Sequence, residues 1–128
     1  MRIWVLAAAV LVASSSAGLA QDANAGAARF KSLCFPCHDI GPGAKVKLGP
    51  PLNGIAGRKA GTIPNFNYSD ANKESGITWT AESFEKYIRN PMQAMPGTRM
   101  AFAGVRDEKD IANLWAFLAS HGEDGSRK

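Results

Sequence analysis

CFPCHDI, residues 34–40, holds both cysteines of this 128-residue chain and one of its two histidines. No other stretch restricts the fold as much. Whatever these three side chains hold must lie against one short turn, and the rest of the chain must be arranged around it. A structural zinc site, a redox-active thiol pair, a short-range disulfide and a covalently attached haem all use cysteines at this spacing.

The front of the chain bears on the compartment. Residues 1–20 read MRIWVLAAAVLVASSSAGLA. Arg2 precedes an apolar run from Ile3 to Ala13, and Gly18 and Ala20 offer small-x-small cleavage geometry before Gln21. A bilayer-spanning helix takes about 20 mostly apolar residues, and this run is too short. The expectation is a cleaved signal peptide over 1–20, export to a bacterial periplasm, and one domain over 21–128. Loss of Arg2 leaves fourteen Lys and Arg against eleven Asp and Glu, a net charge of +3. That is not the polycation of a nucleic-acid binder, and it suits an acidic protein surface better.

Three segments carry helical periodicity, and none has the sustained alternation of a strand. The first spans about Ala23–Leu33, with Asp22 as N-cap and Gly26 and Phe30 on one face. The second starts after Thr80, with Phe84, Tyr87 and Ile88 on one face, and must exit near Asn90 because Pro91 follows. The third starts near Asp107, repeats Ile111, Leu114, Trp115 and Leu118 at helical spacing, and meets Gly122 as a stop. Between them lie Gly-, Pro- and Asn-rich stretches at 41–61, 62–76 and 91–104. Loops that long are unusual in a compact domain unless they wrap something. The fold class expected is all-α, three main helices with long loops around one large apolar object.

A zinc site needs about four ligands, and residues 21–128 offer only Cys34, Cys37, His38 and His121. His121 ends a helix among polar residues and is expected to be a solvated surface histidine. A thioredoxin-like pair wants its CxxC at the start of a helix in a strand–helix–strand unit, whereas this one follows a helix. A disulfide across two residues closes a very small loop and stabilises little. Covalent haem accounts for the whole pattern: Cys34 and Cys37 add to the two vinyl groups, and His38 ligates the iron. For the sixth ligand, Met92, Met95 and Met100 are the candidates in 21–128. Met100 has the best context, after the turn sequence MPGT and before the apolar Ala101–Gly104. Met95 stays open, and core filling is the ordinary use of any methionine.

GPPLNGIAGRKAG (49–61), NFNYSDANKESGITW (65–79) and YIRNPMQAMPGTRMAFAG (87–104) stand in this order behind CFPCH. Together they resemble mitochondrial cytochrome c and its short soluble bacterial relatives, the class I c-type cytochromes, over nearly all of 21–128. The resemblance implies the small cytochrome c fold with one haem c and Met100 as the axial sulfur ligand. It also implies Pro50 as acceptor for the His38 ring, and Arg58, Tyr68 and Trp79 as donors around a haem propionate. Asn72, Tyr87 and Thr98 would form a polar network on the methionine side, and Gly26 and Phe30 would cross the last helix near Leu114 and Phe117.

The function so implied is a soluble one-electron carrier, not an enzyme, that shuttles between respiratory or photosynthetic complexes and acts as a monomer. A quinol–cytochrome c oxidoreductase, a terminal oxidase or a reaction centre would be the transient partners, with no nucleic acid and no membrane span. Lys45, Lys47, Arg99 and Arg106 keep charge where such relatives steer toward acidic partners, while Met92, Gln93 and Asp107 stand where mitochondrial relatives carry lysine. Two other readings remain: a peroxidase, if the Met100–iron bond is weak, and a haem-free thiol–disulfide oxidoreductase.

Overall fold

The structure, a computed structural model, describes residues 21–128; the signal-peptide expectation lies outside the described residues. Five helices follow in order: α1 (Ala23–Leu33), α2 (Asp70–Lys73), α3 (Ala81–Ile88), α4 (Pro91–Ala94) and α5 (Glu108–Ala119). Among the described residues there is no strand, only isolated bridges between Lys59 and Thr78 and between His121 and Arg127.

Caps set the helix starts. The Asp22 carboxylate accepts from the Asn24 and Ala25 amides, the Asp107 carboxylate from Asp110, and the Thr80 hydroxyl from Ser83 in a reciprocal capping box. α5 ends at Ala119 with Ser120 as C-cap, short of the expected Gly122 stop, and the Ser120 hydroxyl bonds the Phe117 carbonyl at 2.6 Å. The loops also hold two single-turn helices that periodicity cannot detect. α2 is capped by Ser69, and α4 starts on Pro91 at its first position behind the Asn90 cap.

α1 crosses α5 so closely that the backbones touch. A side chain on Gly26 would put its Cβ 2.5 Å from the Asn113 carbonyl carbon and 2.9 Å from Phe117 Cβ. Glycine is used here for close approach. Phe30 and Phe117 stack beside it with ring centroids 5.4 Å apart, and Asn113 reaches back to accept from the Asp22 amide at 2.9 Å. α3 packs on α5 through Phe84 and Trp115, 5.4 Å apart. Leu114 of α5 is completely buried.

His121 is not the solvated histidine its neighbours suggest. It is buried, its Nδ1 proton goes to the Phe117 carbonyl at 2.8 Å, and its ring meets the Phe117 ring edge-on at 4.7 Å. The chain beyond α5 turns back over it: Lys128 N–H bonds the Ser120 carbonyl and Gly122 N–H bonds the Ser126 carbonyl. That return, invisible to periodicity, removes the imidazole from water.

Candidate metal and cofactor centre

The CFPCH segment winds directly off the end of α1. Cys34 is the helix C-cap, its amide bonded to the Phe30 carbonyl, and its own carbonyl accepts from both Cys37 and His38, at 3.0 and 2.8 Å. One turn therefore carries both thiols and the imidazole. The chain then loops out and returns, with Gly49 N–H on the Cys37 carbonyl and Leu52 N–H on the Asp39 carbonyl. Asn53 pins that loop by bonding both the amide and the carbonyl of Gly41, at 2.8 and 2.9 Å.

The return brings Pro50 to His38. Nδ1 lies 2.7 Å from the Pro50 carbonyl. A carbonyl only accepts, so Nδ1 carries the proton and Nε2 holds a free lone pair. Burial lowers the pKa of His38, with the Pro50 bond opposing and Lys47 adding slightly, so the ring is neutral at pH 7. Gly49 lies flat against the same imidazole. A Cβ there would stand 2.7 Å from Nδ1 and 3.0 Å from Nε2.

Both thiols are free. Burial, followed by the neighbouring Cys37, pushes the Cys34 pKa up to about 11. Thiol–disulfide oxidoreductases work with a depressed thiolate, typically at a helix N-terminus. Cys34 sits at a helix C-terminus with its pKa moved the other way, which argues against that chemistry.

The structure separates the three methionines. Met92 is exposed, and Met95 is buried in the core. Met100 is half-buried, and its sulfur accepts from the Tyr87 hydroxyl at 3.3 Å. Tyr87 also lies 3.3 Å from the Thr98 hydroxyl, which accepts from the Met100 amide. A tight turn aims this segment: Thr98 N–H bonds the Met95 carbonyl across Pro96 and Gly97, with Gly97 at φ +92°.

The backbone brings Arg58 beside Trp79, and Tyr68 lies near enough to feel the Arg58 charge. Residues 57–60 run antiparallel to 77–79, with Gly57 N–H on the Trp79 carbonyl and Trp79 N–H on the Arg58 carbonyl. The Tyr68 hydroxyl accepts from the Ile63 amide at 3.2 Å, which leaves its own proton to donate. Burial raises the Tyr68 pKa, and the nearby Arg58 charge is among the opposing effects. Arg58 Nε also reaches the Gly54 carbonyl at 3.4 Å.

Comparison with known proteins then decides the family. A family described as "Cytochrome C oxidase, cbb3-type, subunit III" matches residues 21–118. Cytochrome c2 of Blastochloris viridis is 54% identical over 128 residues, the whole of both chains. The chain belongs to the c-type cytochromes. A cytochrome c2 of Rhodoplanes tepidamans is 54% identical over 108 residues, 84% of this chain and all of that one. Cytochrome c-550 of Bradyrhizobium diazoefficiens is 53% identical over 106 residues, 83% of this chain and 77% of that one.

This c-type cytochrome is an electron-transfer protein, not an enzyme, and carries one covalently bound haem c. The residues present suit that group: two unjoined thiols, and a neutral imidazole with a free Nε2 in the same turn. In addition, the buried Asn72 Oδ1 is without a protein donor among the described residues. Gly49 and Asn53 are site-supporting residues that sequence reasoning passed over. Both lie in the stretch GPPLNGIAGRKAG, but nothing local showed that Gly49 would meet the His38 ring or that Asn53 would act across a loop closure.

Proposed function

We propose that Cys34 and Cys37 carry the haem, that His38 and Met100 ligate its iron, and that Arg58, Tyr68 and Trp79 donate to a propionate. The observation that carries this reading is His38, its pKa lowered by burial and its ring oriented by Pro50, in the same turn as two free thiols. When bound, the haem supplies an iron whose ferric/ferrous couple accepts and releases one electron. Pro50 fixes the imidazole plane and its tautomer, and a ligand held this way is a better donor. Tyr87 and the Met95–Thr98 turn hold the Met100 thioether, a soft ligand that favours the reduced state. Ligands anchored by the fold move little between oxidation states. The Tyr87–Met100 contact also disfavours a peroxidase reading, which needs that ligand to leave easily.

We further infer that residues 1–20 are a cleaved leader and that the protein works in the periplasm; the family match begins at residue 21. No described helix is long and apolar enough to cross a membrane. The partners inferred are membrane electron-transfer complexes: a quinol–cytochrome c oxidoreductase as donor, and a terminal oxidase or reaction centre as acceptor. Docking would use the surface beside the attachment turn. There Phe35, Val46 and Leu48 are exposed around Lys47, whose ammonium lies 3.8 Å from the Phe35 ring centroid. An apolar face with few free cations gives a shallow salt dependence of association.

The test is a visible absorption spectrum of the exported protein in both oxidation states. Sharp ferrous c-type bands with a ferric sulfur-to-iron charge-transfer band support the ligand set. Haem bands without the charge-transfer band would remove Met100 from it.

A further inference from the structure

The chain after α5 leads to a residue the electron-transfer site has not yet used. Residues 121–128 fold into a closed turn that packs on two loops of the haem-binding half. The Gly54 amide bonds the His121 carbonyl at 3.3 Å, and a Cβ on Gly54 would stand 2.7 Å from Glu123 Cγ. Gly125 is buried against the 41–42 backbone, where a Cβ would stand 2.5 Å from Pro42 N. Arg127 lies over the Phe117 ring at 5.4 Å, and Asp124 accepts from both the amide and the hydroxyl of Ser126, at 2.9 and 2.7 Å. Apart from the Glu123 methylene against Gly54, these contacts do not involve the Glu123 side chain.

What the turn presents is a carboxylate. Glu123 Oε1 lies 3.5 Å from Arg58 Nη2, and Arg58 is the half-buried member of the pair. A guanidinium has five N–H donors, so Arg58 can meet Glu123 and a second acceptor at once. Its charge is then divided between them. We propose that Glu123 is a positioning residue for electron transfer: acting through Arg58, it lowers the reduction potential of the haem. The inference rests on Arg58 being a propionate donor.

The direction follows from charge. A guanidinium fully committed to the propionate opposes the extra positive charge of the ferric state and raises the potential. A competing carboxylate withdraws part of that charge and favours the ferric form. The effect is modest because Glu123 is exposed and screened.

The experiment is a spectroelectrochemical titration, at low ionic strength, of the wild-type holoprotein, Glu123→Gln, Glu123→Lys, Arg58→Gln and the Arg58→Gln/Glu123→Gln double variant. Thermal melts of each establish that the fold is kept, which the exposed position of Glu123 favours. Glu123→Gln is expected to shift the ferric/ferrous equilibrium toward ferrous by roughly threefold, which is about 30 mV at about 59 mV per tenfold. Glu123→Lys should shift it further the same way, Arg58→Gln should lower the potential, and the Glu123→Gln effect should vanish in the Arg58→Gln background. A Glu123→Gln potential equal to wild type, with Arg58→Gln still lowered, overturns the role of Glu123 and leaves Arg58 as propionate donor. A Glu123→Gln shift that persists without Arg58 overturns action through the guanidinium. An Arg58→Gln potential equal to wild type overturns the propionate reading itself.

Discussion

Gly49 and His38 lie in face-to-face contact, with no room for a methyl group between the glycine Cα and the imidazole. The neighbouring Pro50 carbonyl takes the ring's Nδ1 proton at 2.7 Å, so two adjacent residues of one loop fix both the position and the tautomer of the proposed ligand. Gly49 has an ordinary negative φ, so the requirement is for space and not for backbone freedom. Gly49→Ala should force the ring away from Pro50. A loss of about 1–3 kcal/mol in guanidinium denaturation is expected, with a lower yield of haem-loaded protein. An alanine variant with wild-type stability and loading would show that the contact is loose.

At the α1–α5 crossing, Gly26→Ala sets two effects against each other. Alanine gains about 1 kcal/mol in helix propensity, while its Cβ would collide with the Asn113 backbone, which cannot rotate away. The steric term should win, for a net loss of about 2 kcal/mol or more. Denaturation midpoints at unchanged m-value would report it, and a stabilised variant would mean the helices can separate freely.

Tyr87→Phe removes the hydroxyl that donates to the Met100 sulfur. About 1 kcal/mol should be lost at neutral pH, with a weakened charge-transfer band. The pH dependence has a definite sign. Burial raises the Tyr87 pKa above its ordinary 10.0, with the Thr98 bond opposing. A group whose pKa is raised on folding stabilises the fold fully below its unfolded pKa and loses that contribution as pH rises through the folded value. Wild-type stability should therefore fall above about pH 10. Tyr87→Phe should fall less steeply, keeping the slope from Tyr68, whose pKa is also raised by burial. Parallel curves for the two proteins would remove Tyr87 from the alkaline transition.

His121→Ala separates structure from ligation. The imidazole is buried and bonded to the Phe117 carbonyl, so about 1–3 kcal/mol should be lost. Absorption spectra in both oxidation states should match wild type, since this histidine serves the return of the chain over α5. A changed spectrum would mean that His121 reaches the iron or its ligands.

What the sequence determined by itself is what acts over a few residues. The caps at Asp22, Thr80 and Asp107 depend on hydrogen bonds spanning one turn, and the three helices start where expected. The CFPCH turn and the Pro96–Gly97 turn are local in the same sense. From the residues alone, however, Met100 had the better context while Met95 stayed open, and the family resemblance strengthened the case for Met100. The folded chain separates them, placing one in the core and the other beneath the Tyr87 hydroxyl. Tertiary structure alone also buried His121, set Gly49 against His38 and brought Glu123 to Arg58. Each of these depends on loops closing over long separations, whose geometry comes from backbone contacts and glycine clearances that carry no period and no motif. Local hydrogen bonding is written into neighbouring residues, whereas which side chains meet across a loop is decided only when the whole chain packs.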